Sequence, residues 1–155
     1  MKTRIHAFAG ALALITICIF WSATAITELF GDASAITAVK NGILAGMLVL
    51  IPSMAAAGAS GFSLGKGWRN PAVQRKKLRM KIIAANGILI LVPSAVFLAS
   101  KAGAGEFDAA FVAVQAIELI AGAVNITLLS LNMRDGLALR RKPSRRVGSA
   151  KGLAV

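Results

Sequence analysis

Apolar residues along this chain fall into four long, nearly charge-free runs separated by short polar stretches. At ~1.5 Å per residue, a helix of about 20 residues crosses the ~30 Å hydrocarbon core of a bilayer. The pattern predicts membrane spans over about 5–27, 36–60, 82–100 and 108–133. The expected fold class is all-α, an integral membrane four-helix bundle over residues 1–136. A basic cytoplasmic tail is expected over 137–155, where Pro143 and Gly148 break any helix.

The first span has an alternative. Its charged start, the apolar run from Ala7 to Trp21 and the Ala23-Thr24-Ala25 triplet also fit a signal peptide. Apolar character continues through Ile26, Leu29 and Phe30, which favours an uncleaved span. A loop is expected from Glu28 to Lys40, with Asp32 or Ser34 capping the second helix, because either side-chain oxygen accepts from the free amides of a first turn. Pro52 and Pro93 lie inside the second and third spans. Each removes a backbone hydrogen bond and so introduces a helix irregularity.

Charge turns the hydropathy pattern into an oriented one. The chain holds 18 Lys and Arg against 6 acids. Two basic residues precede the first span, seven lie in 61–81 and seven follow from Arg134, whereas the other two loops carry only Lys40 and Lys101. Basic segments stay on the cytoplasmic side. All three basic segments fall on one face of four spans, so both termini are expected to be cytoplasmic. Glu28, Asp32, Glu106 and Asp108 gather on the other face. This placement also accounts for the net charge of +12 without nucleic acid as a partner. The basic residues Arg75, Lys76, Lys77, Arg79, Arg140, Arg141 and Lys142 are candidates for anionic-lipid contact, at about 1 kcal/mol for each well-placed cation.

Catalytic signatures are scarce. Cys18 is the single cysteine and His6 the single histidine, so an intrachain disulfide, a bis-histidine haem or a His-rich metal centre cannot arise within one chain. The stretch GASGFSLGKG (58–67) departs from a phosphate loop, since Ser60 stands where the first glycine is required and Gly67 replaces the hydroxyl residue. No cofactor is expected. The repeated Asn-Gly-Ile-Leu (41–44 and 86–89), each followed by Pro-Ser (52–53 and 93–94), hints at an internal duplication.

The fourth span carries the most chemistry. Gln115, Glu118, Gly122, Asn125, Leu129 and Asn132 follow steps of three and four, which align them on one helix face. Together with Asn86 on the third span, Gln115, Glu118, Asn125 and Asn132 form a candidate intramembrane polar site. A central acid costs about 2.5–3.5 kcal/mol on insertion scales, so Glu118 should be neutral or partnered. The expected partners are Asn86, Asn41 and the hydroxyls Thr16, Ser22, Thr24, Ser53 and Ser94. Roughly opposite lies a small-residue face, Ala109, Ala113, Ala116 and Ala123. Gly42 and Gly46 form a second small pair on the second span. Small residues let helices approach closely.

The segment FDAAFVAVQAIELIAGAVNITLLSLNMRDGL (107–137) resembles the last helix of small bacterial four-span inner-membrane proteins with no established activity. The resemblance covers mainly Asn86 to Leu137 and implies a bacterial inner (plasma) membrane. The expected function is that of a non-enzymatic accessory or assembly partner in a homo-oligomer or larger membrane complex, in contact with lipid. The alternatives are a small oligomeric transporter or proton-linked channel using Glu118 and, third, a lipid- or quinone-binding membrane enzyme.

Overall fold

The computed structural model describes residues 2–64 and 71–141. They form four long helical rods. The first two are α1 (Lys2–Phe30) and α2 (Ala33–Leu64). The third joins α3 (Pro71–Asn86), a π-helical turn (Gly87–Leu91) and α4 (Val92–Gly103), and the fourth is α5 (Ala109–Arg141). Each rod holds a stretch long and apolar enough to cross a membrane: Thr3–Phe30, Ala33–Ser63, Val73–Gly103 and Ala109–Ala138. The fold is all-helical, and these four stretches suggest a multi-pass membrane protein.

The helices outrun the spans read from hydropathy, and the polar connections shrink accordingly. The turn between α1 and α2 is only Gly31-Asp32. Asp32, rather than Ser34, caps α2, its Oδ1 accepting from the Ala35 amide at 2.8 Å. Lys40 therefore lies inside a helix, not in a loop. The basic residues Arg75 to Lys81 are likewise on α3. At the other end α5 continues through Arg134-Asp135-Gly136 to Arg141. A single interior glycine costs a helix only about 1 kcal/mol, and here Asp135 accepts from Arg79 Nη1 at 2.6 Å, which anchors the added turn to α3. Of the expected tail, 137–141 is helical and 142–155 lies outside the described residues, as does Gly65 to Asn70 of the connection.

The two prolines behave differently. α2 stays helical through Pro52. Before Pro93 the ladder changes register, and the Val92 amide reaches back to the Gly87 carbonyl in an i to i−5 bond. The α4–α5 turn closes on Gly105 at φ 73°, a left-handed conformation that glycine adopts without a Cβ clash. Asp108 then caps α5 through the Phe111 amide at 2.9 Å.

Burial runs opposite to that of a water-soluble bundle. Phe8, Leu29, Phe30, Leu48 and Leu89 are exposed, while Lys40, Gln115, Asn125 and Asn132 are buried. One core cluster packs Ala13, Ile17 and Leu50 with Phe20, Met54, Leu91 and Leu129. A second packs Leu98, Ala102 and Phe111 under the α4–α5 turn, with the Phe107 and Phe111 rings edge to face at 5.1 Å. Much of the core is alanine, which lets the helix backbones come close.

Candidate functional site

α5 presents its polar residues inward, as their three- and four-residue spacing requires, but they do not form one continuous site. The structure divides them into three levels, the first meeting α2 and the other two meeting α3.

At the level nearest the Gly31 and Gly105 turns, Lys40 Nζ donates to Glu118 Oε2 at 2.7 Å. Lys40 is 1% exposed and Glu118 12%. Both helices start from the same end of the bundle. Counting from Ala33 and Ala109 at ~1.5 Å per residue, the two side chains branch from about 11 Å and about 14 Å along their helices. The charges therefore meet at matching depth. Gln115, one turn before Glu118, donates from Nε2 to the same Oε2 at 3.4 Å. Glu28, near the end of α1, lies within electrostatic range of both Lys40 and Glu118. Two buried acceptors here have no hydrogen-bond partner among the described residues, Glu28 Oε1 and Gln115 Oε1.

The middle level is made of amides. Asn86 Nδ2 donates to Asn125 Oδ1 at 2.9 Å and to the Ala121 carbonyl at 2.8 Å. Asn125 is fully buried, and its Nδ2 donates to the Ile83 carbonyl at 3.4 Å. The position of Asn86 explains the geometry, since it is the last residue of α3 before the π-helical turn. Asn86 is thus a partner of Asn125 and not of Glu118. The third level is the Arg79–Asp135 pair, with Asn132 buried one turn before Asp135 and both its amide atoms without a partner among the described residues.

Between α1 and α5, Trp21 Nε1 donates to the Leu119 carbonyl at 2.9 Å. The indole lies over Gly122, where a Cβ would stand 3.0 Å from Trp21 Cδ1. Beside it is an apolar recess of about 50 Å³ lined by Trp21, Thr24, Ile43, Leu50, Glu118 and Gly122, among others. Neither Asn86 nor Asn125 lines it. No group of three or more metal-ligating His, Cys, Asp or Glu side chains converges among the described residues.

The other candidates sort as follows. Ala109, Ala113, Ala116 and Ala123 are all exposed, on the side of α5 away from its polar partners. The Gly42–Gly46 pair divides. Gly42 has open space where a Cβ would be, whereas Gly46 is pressed against the Phe20 ring, with Cε1 only 2.7 Å from a Cβ position. Of the basic residues, Arg75 is exposed, Lys77 is half-buried, Lys76 Nζ lies against Gly136 and Arg79 is held by Asp135. Arg140 and Arg141 end α5, and Lys142 lies outside the described residues. His6 is half-buried and placed by an Nδ1–H donated to the Ala57 carbonyl at 3.0 Å, with Ser60 Oγ 3.2 Å away. The two Asn-Gly-Ile-Leu segments do unlike work, since Asn41 is exposed while Asn86 bridges α3 to α5.

Lys40 is the residue that reading the sequence missed. It has one signal: an acid inside an apolar run needs a counter-charge, and Lys40 stands at almost the same helix depth as Glu118. Compared with family models, curated proteins and solved structures, the chain matches none of them.

Proposed function

We propose that this chain is a non-enzymatic multi-pass protein of a bacterial inner membrane that packs against a larger membrane complex or further copies of itself. Both termini face the cytoplasm, an orientation supported by the distribution of Lys and Arg. Membrane residence is supported by the apolar exterior around a polar interior.

The observation that carries the reading is the division of labour on α5. Its polar face is engaged by neighbouring helices through Lys40, Asn86 and Arg79, while Ala109, Ala113 and Ala116 of its alanine face are exposed and only Ala123 borders α1, beside Cys18 and Trp21. Interhelical amide and ion-pair contacts hold a bundle together in lipid, and small residues admit another helix at short distance. Affinity purification in mild detergents tests this. A partner or oligomer whose yield falls with Ala113→Leu or Ala116→Leu is the expected result. Recovery of only the bare monomer under every condition overturns it.

A transport reading centred on Glu118 is favoured by one observation, its place in the wall of the recess beside Trp21. That reading requires flux or growth to fall with Glu118→Gln. An enzymatic reading needs a headgroup-sized pocket shared by Glu118, Asn125 and Asn86, and the recess at Glu118 does not include either asparagine.

A further inference from the structure

At the outer level of the bundle Lys40 from α2 and Glu118 from α5 pair at 2.7 Å, and Glu28 from α1 lies within electrostatic range of both. The remaining element packed there, α4, brings Lys101, which is engaged by Glu106 and Asp108 at 2.8 and 2.6 Å. Asp32 is exposed and occupied as a helix cap. With both acids ionised, two negative charges and one positive charge share the cluster. One negative charge is then left over in a region where charge is expensive.

Hydrogen bonding shows the same imbalance independently. Gln115 is 4% exposed, and its amide nitrogen already points at Glu118, yet its Oε1 has no donor. Glu28 Oε1 is also buried without a donor. Both orphans are acceptors, so the cluster is short of hydrogen rather than of lone pairs. Unsatisfied buried acceptors cost about 1–3 kcal/mol each. A single proton on a carboxyl group removes the excess charge and turns one orphan acceptor into a donor.

We propose that the Glu28–Lys40–Glu118 cluster is a binding site for one exchangeable proton, carried by the carboxyl pair beside the Lys40 ammonium. Hydronium supplies the proton and leaves as water. An O–H bond forms on Glu28 and no electrons are transferred. Glu28 is the port, being half-buried and within one turn of the Gly31-Asp32 turn. Lys40 sets the stoichiometry, because it already neutralises one of the two acids. The inference rests on the charge and donor count at this site and not on whether the chain has a protein partner.

Infrared difference spectroscopy of the full chain in lipid nanodiscs tests it, with Asp32, Glu106, Asp108 and Asp135 replaced by amides so that Glu28 and Glu118 are the only side-chain acids left. A protonated-carboxyl C=O band equivalent to one group per chain is expected to titrate with pH, and to be lost in Glu28→Gln. Lys40→Met is expected to double the band, since both acids then need a proton. A purely structural ion pair with both acids ionised would give no titrating band while Lys40 is present. The proposal is overturned if no titrating band appears while the helical circular dichroism persists, or if Glu28→Gln leaves the band unchanged. An unaltered band in folded Lys40→Met also overturns it. If Lys40→Met does not fold, the Glu28→Gln result alone decides.

Discussion

Asn86 Nδ2 reaches both the Ala121 carbonyl and Asn125 Oδ1, joining the last residue of α3 to the buried face of α5. The π-helical turn begins at the next residue, so this contact fixes the third rod where its backbone ladder changes register. Asn125→Ala removes the acceptor at 2.9 Å and its own long 3.4 Å bond to the Ile83 carbonyl, but leaves the Asn86 bond to Ala121. A modest loss is therefore expected, ~0.6–2 kcal/mol on the scale of intramembrane hydrogen bonds. Asn86→Ala removes the donor of both short bonds, at 2.8 and 2.9 Å, and should cost more. Reversible unfolding in mixed micelles measures each. Equal losses for the two variants would contradict the geometry.

Gly42 and Gly46 share a helix and a spacing but not a surrounding. Gly42→Ala meets open space and should be neutral or gain about 0.5–1 kcal/mol of helix stability in the monomer. Gly46→Ala drives a methyl into the Phe20 ring and should lose about 1–3 kcal/mol, the usual scale of overpacking. Thermal unfolding of both variants checks the sign difference. If Gly42→Ala instead weakens an oligomer, that face is an interface between copies.

Asp108 sits between the third and fourth rods, where the Lys101 ammonium and then the Phe111 amide hold its carboxyl below the usual aspartate value. A depressed folded-state value means the contribution is present above the unfolded value, about pH 3.9, and is lost as pH falls through the lower folded value. The α5 N-terminus should therefore keep its protection at neutral pH and lose it only in acid. Asp108→Ala, which has no acceptor, should lose Phe111 amide protection at all pH values. Hydrogen exchange corrected for intrinsic rate reads this directly. Protection unchanged in Asp108→Ala would show that the cap and the Lys101 contact contribute nothing.

The charge-derived orientation makes its own demand. With Cys18 replaced by Ala, cysteines at Asp32 and Glu106 should react with an impermeant thiol reagent added outside cells. A cysteine at Arg75 should react only after the membrane is opened. Labelling of the position-75 cysteine in intact cells would contradict the proposed topology.

Hydropathy carried the number and order of the helices, because an apolar run of this length has few other stable forms. The step of three and four residues likewise placed Gln115, Glu118, Asn125 and Asn132 on one face. Their partners were harder to read, since they come from other helices and depend on relative depth. Lys40 follows Gly31, Asp32 and Ser34 closely enough to look like part of a loop, and only the two-residue turn puts it inside α2. The ends of α3 and α5 were hidden for a related reason. Arg79 and Asp135 look like interface charges until they pair at 2.6 Å and extend both helices together.

The central claim is that the buried charges of the bundle serve one another across helices, with Lys40 and Glu118 as the principal pair. Charge exchange tests it most directly. Breaking a buried pair leaves an uncompensated charge, at a cost of about 3–5 kcal/mol. Unfolding stability should fall by that order in Lys40→Glu and in Glu118→Lys, and the double variant should recover most of the loss. A double variant no more stable than the poorer single one would contradict the account.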